Sequence, residues 1–208
     1  ILPFYVNISP DKELLLTPRI YYAQKRQSID YAYGQRISGG SIKLNASTST
    51  DFETTGSAEI GDELVDARIT LKILQNINRN FHSGFDLSLA TSGSYLRNYD
   101  PTNKLLIFNN LTTSAYVDGY SVWDPKDILT IETFNFQAVK RNASQKKVPI
   151  VFPVINYNTG NKLLFNKINL QNSFIFYHIF RDLNTNDHAY RQSRLNYDAN
   201  ISYQKFWK

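Results

Sequence analysis

Residues 85–120 carry the feature that most restricts what this chain can fold into. Phe85, Leu87 and Leu89 share one side of the run and are interrupted by Asp86, Ser88 and Thr91. A polar tip follows, Asn98-Tyr99-Asp100-Pro101-Thr102-Asn103. Beyond it Leu111, Thr113, Ala115, Val117 and Gly119 fall on one side, and Thr112, Ser114, Tyr116, Asp118 and Tyr120 on the other. Period-two alternation sends successive side chains to opposite faces, so the stretch predicts two antiparallel strands joined by a long excursion.

The same pattern recurs along the chain. Alternating runs at 2–9, 14–22, 29–33, 42–46, 65–74, 85–91, 111–120, 128–139, 148–157, 163–180 and 191–207 predict about eleven strands and no helix. Short turns are expected near 10–12, 38–40, 75–80 and 158–161, with a further turn at 122–126. In the Asn158-Thr159-Gly160-Asn161 run, read as a hairpin, Gly160 offers positive φ. Longer polar loops are expected near 51–62, 93–107, 141–147 and 181–190. Short and long connections thus tend to alternate, as in the meanders of outer-membrane barrels.

Composition narrows the setting. No apolar run approaches the ~20 residues of a transmembrane helix. A chain of this kind crosses a membrane only as a closed barrel, because an open sheet leaves backbone groups unpaired in lipid. The mean hydropathy of −0.39 is compatible with that, since only alternate residues of a barrel strand face lipid. Aromatics near strand ends, among them Tyr22, Tyr95, Trp123, Tyr157 and Trp207, suit interfacial girdles and equally suit ordinary strand-end packing. The chain has no Met, so residue 1 is not a translation start and the sequence reads as part of a longer protein. It has no Cys, which removes thiolate metal sites, thiol catalysis and disulfides from this segment. The net charge of +5 is scattered; Lys140-Arg141 and Lys146-Lys147 read as a solvated loop rather than a nucleic-acid face.

Enzyme chemistry has little to stand on. The three histidines, His82, His178 and His188, have no HExxH-type spacing, and no serine sits in a GxSxG context. Asp187-His188 is the one pair able to orient a nucleophile, and a solvated loop histidine explains it as well. The acidic loop residues Asp11, Glu13, Asp182 and Asp187 are dispersed, without EF-hand spacing. The chain is read as a non-enzyme with no cofactor and no metal.

Three ordered stretches carry a family resemblance. The run Tyr95-Leu96-Arg97-Asn98-Tyr99-Asp100, followed by Leu111-Thr112-Thr113-Ser114-Ala115-Tyr116-Val117-Asp118-Gly119, resembles the middle of the LPS-assembly (LptD) family. Leu2-Pro3-Phe4-Tyr5-Val6-Asn7-Ile8-Ser9-Pro10 with Leu14-Leu15-Leu16-Thr17-Pro18-Arg19 is similar to the start of that family's barrel. Val148-Pro149-Ile150-Val151-Phe152-Pro153, ending at Tyr157, is similar to its P-x-x-x-P-x-x-x-Y strand.

The resemblance implies an all-β, antiparallel, up-and-down transmembrane β-barrel segment, about eleven strands of a larger barrel in the bacterial outer membrane. Residues 1–208 would form part of one barrel domain that starts near its second strand. The N-terminal jellyroll-like domain and the C-terminal strands would lie outside this chain. The implied activity is transport of lipopolysaccharide (LPS) into the outer leaflet. The implied partners are LPS, the plug lipoprotein LptE, outer-membrane lipids and, through the missing domain, a periplasmic LPS-bridge protein. Pro3 is the position carried over, as part of a lateral gate; a proline cannot donate to a ladder and is confined to edges, strand starts or bulges. A plain strand-start proline is the alternative for Pro3, and Pro18, Pro149 and Pro153 are read as bulges or strand starts. Lys43, Asp86, Asp118, Asp198 and Asn200 are expected to face a hydrated lumen along the LPS path. Two other readings remain open: a general porin or receptor barrel, and a soluble all-β carbohydrate-binding module.

Overall fold

The fold is described from a computed structural model, which covers residues 2–22, 26–51, 65–91, 95, 110–139, 144–164, 168–181 and 191–203. The polar tip at 98–103, the loop at 52–64, the Asp187-His188 pair and Trp207 lie outside the described residues. Eleven strands follow one another: β1 (Phe4–Ser9), β2 (Lys12–Tyr21), β3 (Arg26–Ile37), β4 (Gly40–Asp51), β5 (Val65–Asn76) and β6 (Phe81–Ala90) come first. Then come β7 (Asn110–Tyr120), β8 (Ile128–Ala138), β9 (Ile150–Leu164), β10 (Ile168–Phe180) and β11 (Arg191–Tyr203). All belong to one antiparallel sheet in sequential order, with β1 and β11 at its edges. A 3₁₀ turn at Gln145–Lys147 occupies part of the expected basic loop.

Every second connection is short, at 10–11, 38–39, 77–80, 121–127 and 165–167; those between them are longer at 52–64, 91–109, 139–149 and 181–190, and short again at 22–25. Ser38-Gly39 closes the Ile37↔Gly40 pair, and Gly39 adopts φ 73°, a left-handed conformation that costs glycine nothing.

The expected hairpin at 158–161 is not a hairpin. β9 runs through it to Leu164, and β10 begins at Ile168. Asn-Thr-Gly-Asn marks a bulge here: the register on β10 slips between the Leu170 and Asn172 pairs, whose partners are Lys162 and Thr159. Gly160 is needed for close approach rather than for positive φ. Its amide donates to the Lys126 carbonyl at 3.1 Å, and a Cβ there would lie 2.3 Å from the Lys126 Cβ. A second bulge falls at Phe152-Pro153, where the register shifts against both β8 and β10. That matches the role read for Pro153.

The chain divides into two compact units. The first comprises Ile1–Leu74, Phe85–Thr113 and Phe136–Gln145; the second Gln75–Gly84, Ser114–Asn135 and Lys146–Lys208. In the first unit, Ala90, Tyr95, Leu111 and Val139 form a small buried cluster.

Candidate functional site: the polar face of the sheet

In an antiparallel ladder, residues directly opposite one another share a face. The strand registers therefore sort the side chains of β1–β4 and β9–β11 by face. In the first unit one face carries Phe4 and Val6, Leu14 and Leu16, Tyr31 and Tyr33, and Leu44 and Ala46. The other carries Asn7 with Glu13, Gly34 and Lys43, and further along Arg19, Asp30 and Ser47. In the second unit, Phe174, Phe176, Leu195 and Tyr197 lie on one face. Asn158, Ser173 and Asp198 are matched on the other, next to Gln171 and Asn200.

On the edge strands β1 and β11 the apolar face is exposed, while on β2, β3, β4 and β10 most of its side chains are half-buried. Phe4 is 53% exposed, Leu195 62% and Ile201 68%. All eleven strands among the described residues belong to one sheet.

The polar face is organised. In the first unit the Arg19 guanidinium meets Asp30 at 2.7 Å, and Lys72 meets Asp86 at 3.5 Å. The Tyr5 hydroxyl donates to Glu13 at 3.2 Å, and the hydroxyls of Ser47 and the buried Tyr95 bond at 2.5 Å. In the second unit Gln171 donates to Asn158 at 3.3 Å, and Arg194 to the Tyr177 hydroxyl at 3.5 Å.

Lys43 is exposed on the polar face opposite Gly34. Asp86 is half-buried in β6 and held by Lys72. Asp118 is half-buried in β7, while Asp198 and Asn200 are exposed on β11 opposite Ser173 and Gln171. Lys43 and Asp86 belong to the first unit and the other three to the second. Pro3 is exposed, one residue ahead of the first ladder pair, Phe4↔Leu16.

One cluster was not legible in the sequence. In the second unit, the turn between β7 and β8 buries the Asp127 carboxylate completely. The Tyr157 hydroxyl donates to its Oδ2 at 2.5 Å, and Lys162 Nζ lies 3.8 Å from its Oδ1 and 3.4 Å from Asp124 Oδ2. Trp123 packs edge-on against the Tyr157 ring. Ser121 adopts φ 54° in this turn, fixed by its amide bond to the Asp127 carbonyl and its hydroxyl bond to the Pro125 carbonyl. The cluster ties the turn to the bulge of β9; Asp127 reads in sequence as an ordinary turn residue.

His82 and His178, the two histidines among the described residues, have different partners. His82 Nδ1 bonds Asn76 Oδ1 at 2.7 Å, and His178 Nδ1 bonds Ser193 Oγ at 2.5 Å. No group of three or more metal-ligating side chains is gathered among the described residues.

On the polar face of the first unit the surface sinks into three adjoining cavities. One, of ≈ 520 Å³, is lined by Asn7, Glu13, Arg36 and Lys43 among others. The next, of ≈ 300 Å³, shares Glu13 and Lys43 with it and adds Leu15, Ala32 and Asn45. The third, of ≈ 410 Å³, continues from Leu15, Ala32 and Asn45 to Arg19, Arg68 and Tyr95. No protein-family model and no curated protein matches the chain.

Proposed function

We propose that the chain is a segment of an outer-membrane β-barrel of the LPS-assembly family, which carries LPS across the membrane and releases it into the outer leaflet. The observation that carries this reading is the two-faced, single-layer sheet. Its apolar face is exposed along strands at both edges, and its other face is polar. In water such a face demands a second layer; in a barrel wall, lipid takes that place. Apart from the short connection at 22–25, short and long connections alternate as periplasmic turns and outer loops do. Motifs near residues 2–19, 95–119 and 148–157 favour the LPS-assembly family over a general porin.

The proposed mechanism involves no covalent chemistry. Lys43, Asp86, Asp118, Asp198 and Asn200 give the saccharide a hydrated path. Acyl chains leave sideways through a weak seam at Pro3, beside the short strand β1. The plug lipoprotein LptE and a periplasmic bridge protein complete the assembly in the full-length protein.

The test is depletion of the full-length protein in cells, with surface LPS and the insertion of unrelated barrels measured together. Selective loss of surface LPS is expected. Normal surface LPS would replace the reading with a porin or receptor barrel.

A further inference from the structure

The apolar face of β9, β10 and β11 ends, beside the long connections at 139–149 and 181–190, in a band of cations. The strand registers resolve that face row by row. Tyr157, Phe174 and Tyr197 form one row, and Ile155, Phe176 and Leu195 the next. His178 pairs with Ser193 in the row beyond, their side chains hydrogen-bonded at 2.5 Å. Ile150, Phe180 and Arg191 close the face. Arg191 is exposed, stands 5.8 Å from the centre of the Phe180 ring and pairs with no carboxylate among the described residues. Lys146 and Lys147, both exposed in the 3₁₀ turn, lead into the same end of β9 just ahead of Ile150.

The charge of this segment is one-sided. From Lys146 to Lys208 there are nine Lys and Arg against three Asp and no Glu. Asp198 stands on the polar face, and Asp182 and Asp187 lie outside the described residues. Towards the opposite end of β9, Lys162 is held by Asp124 and Asp127. Arg191, Lys146 and Lys147 form no ion pair among the described residues.

Exposed apolar rows beneath such a rim match a lipid with an anionic headgroup. Guanidinium and ammonium donors form charge-assisted bonds with phosphate oxygens, and His178 and Ser193 add shorter polar groups one row in. Below them Leu195 is 62% and Tyr197 64% exposed, open to acyl chains. At about 3.3 Å per residue, Arg191 to Tyr197 is about 20 Å of strand. Tilted by about 40°, as in a barrel wall, it descends about 15 Å, half the thickness of a bilayer's hydrocarbon. A free phosphate would use the rim and leave those rows idle.

We infer that this face of β9–β11 binds an anionic phospholipid, its phosphate held by Arg191, Lys146 and Lys147 and its chains laid along Leu195 and Tyr197. The site rests on the barrel part of the function proposed above and not on LPS export.

The experiment uses full-length protein in nanodiscs of phosphatidylcholine with a minor fraction of phosphatidylglycerol. One lipid at a time carries a diazirine in its acyl chain, and labelled residues are mapped by mass spectrometry. Per molecule of probe, phosphatidylglycerol should label the apolar face of β10 and β11 about fivefold more than phosphatidylcholine, the scale of one cation's attraction to anionic lipid. The triple variant Lys146→Gln, Lys147→Gln, Arg191→Gln should bring the two probes to equal labelling. Arg79→Gln removes an exposed cation from the short β5–β6 connection of the same unit and should leave the preference in place. Inorganic phosphate, at matched ionic strength, should not displace the label.

Equal labelling by both lipids, or a preference that survives the triple variant, would overturn the inference. So would a preference lost with Arg79→Gln, the mark of diffuse charge, or displacement by phosphate, the mark of a free-anion site. The two readings fail differently. Labelling of this face by neither lipid would remove the barrel and the site with it, whereas equal labelling by both would keep the barrel and remove only the site. Selective labelling together with normal surface LPS on depletion would keep the site and lose the exporter.

Discussion

Gly34 and Glu13 face each other across β3 and β2, and the Glu13 carboxylate lies over the space where a Gly34 side chain would stand. The approach is set by the end of a flexible, exposed side chain that also accepts the Tyr5 hydroxyl. Gly160 stands in the opposite situation, because what it meets is the Cβ and carbonyl oxygen of Lys126, at 2.3 and 2.7 Å.

The two glycines should therefore respond differently to alanine. Gly34→Ala needs only a rotation of Glu13 and should change stability by less than about 1 kcal/mol, the scale of a surface substitution. Gly160→Ala must push the β7–β8 turn away from β9 and should cost about 1–3 kcal/mol, as overpacking does. Urea unfolding of the full-length protein in detergent, variant by variant, reads both; equal costs would contradict the contact geometry.

Tyr157→Phe should cost about 1.5–3 kcal/mol, because it strips a hydrogen bond from a carboxylate with no access to water. Lys162→Met should cost less, about 0–1 kcal/mol, since its side chain is 36% exposed and its contact with Asp127 is long. The same unfolding experiment ranks them, and a larger loss for Lys162→Met would make the ion pair the main support of Asp127.

These positions show where sequence stops being readable. Alternation fixes which residues share a face within a strand, so the eleven strands and the polar and apolar runs were legible. Register is a different matter, because it depends on which residues of neighbouring strands pair. The cavities on the polar face of the first unit need Gly34 to stand between Glu13 and Lys43 and Ala32 between Leu15 and Asn45, a relation that no single run contains. The 158–161 run was misread for a related reason. Asn, Thr and Gly suit a tight hairpin, and they suit a bulge under a docked turn equally well; only the contact with Lys126 decides.

In the turn between β1 and β2, the Ser9 hydroxyl donates to Asp11 at 2.6 Å, and that bond holds the Asp11 carboxyl below its ordinary value. Because the folded value is the lower one, the contribution is present above the ordinary carboxylate pKa and fades as pH falls through the folded value. Ser9→Ala should raise the Asp11 pKa toward the ordinary range, read by carbon-detected NMR titration of its carboxyl. No change would remove the hydroxyl bond as the cause.

Pro3 lies just ahead of the ladder, and if a further strand flanks β1 in the full-length protein, its missing amide would weaken that pairing. Pro3→Val restores a donor and a β-former. If the seam gates lipid release, LPS export measured at the cell surface should slow severalfold while barrel insertion stays normal. Unchanged export would leave Pro3 as a plain strand-start residue.

The membrane reading itself can be tested at two neighbouring residues of β11. Leu195 pairs with Phe176 on the apolar face, and Asn196 pairs with Ile175 on the polar one. Both are exposed, so for a sheet in water a lysine at either position should matter little. In a barrel wall the two positions part company. A lysine on the lipid-facing side costs about 2–4 kcal/mol near the bilayer midplane, while a lumen-facing lysine is solvated. Leu195→Lys should therefore lower the folded, membrane-inserted fraction of the full-length protein by tenfold or more, and Asn196→Lys should leave it unchanged, as read by urea titration in phospholipid vesicles. Equal tolerance of both would mean that the apolar face of β11 is not against lipid, and the barrel reading would fall with it.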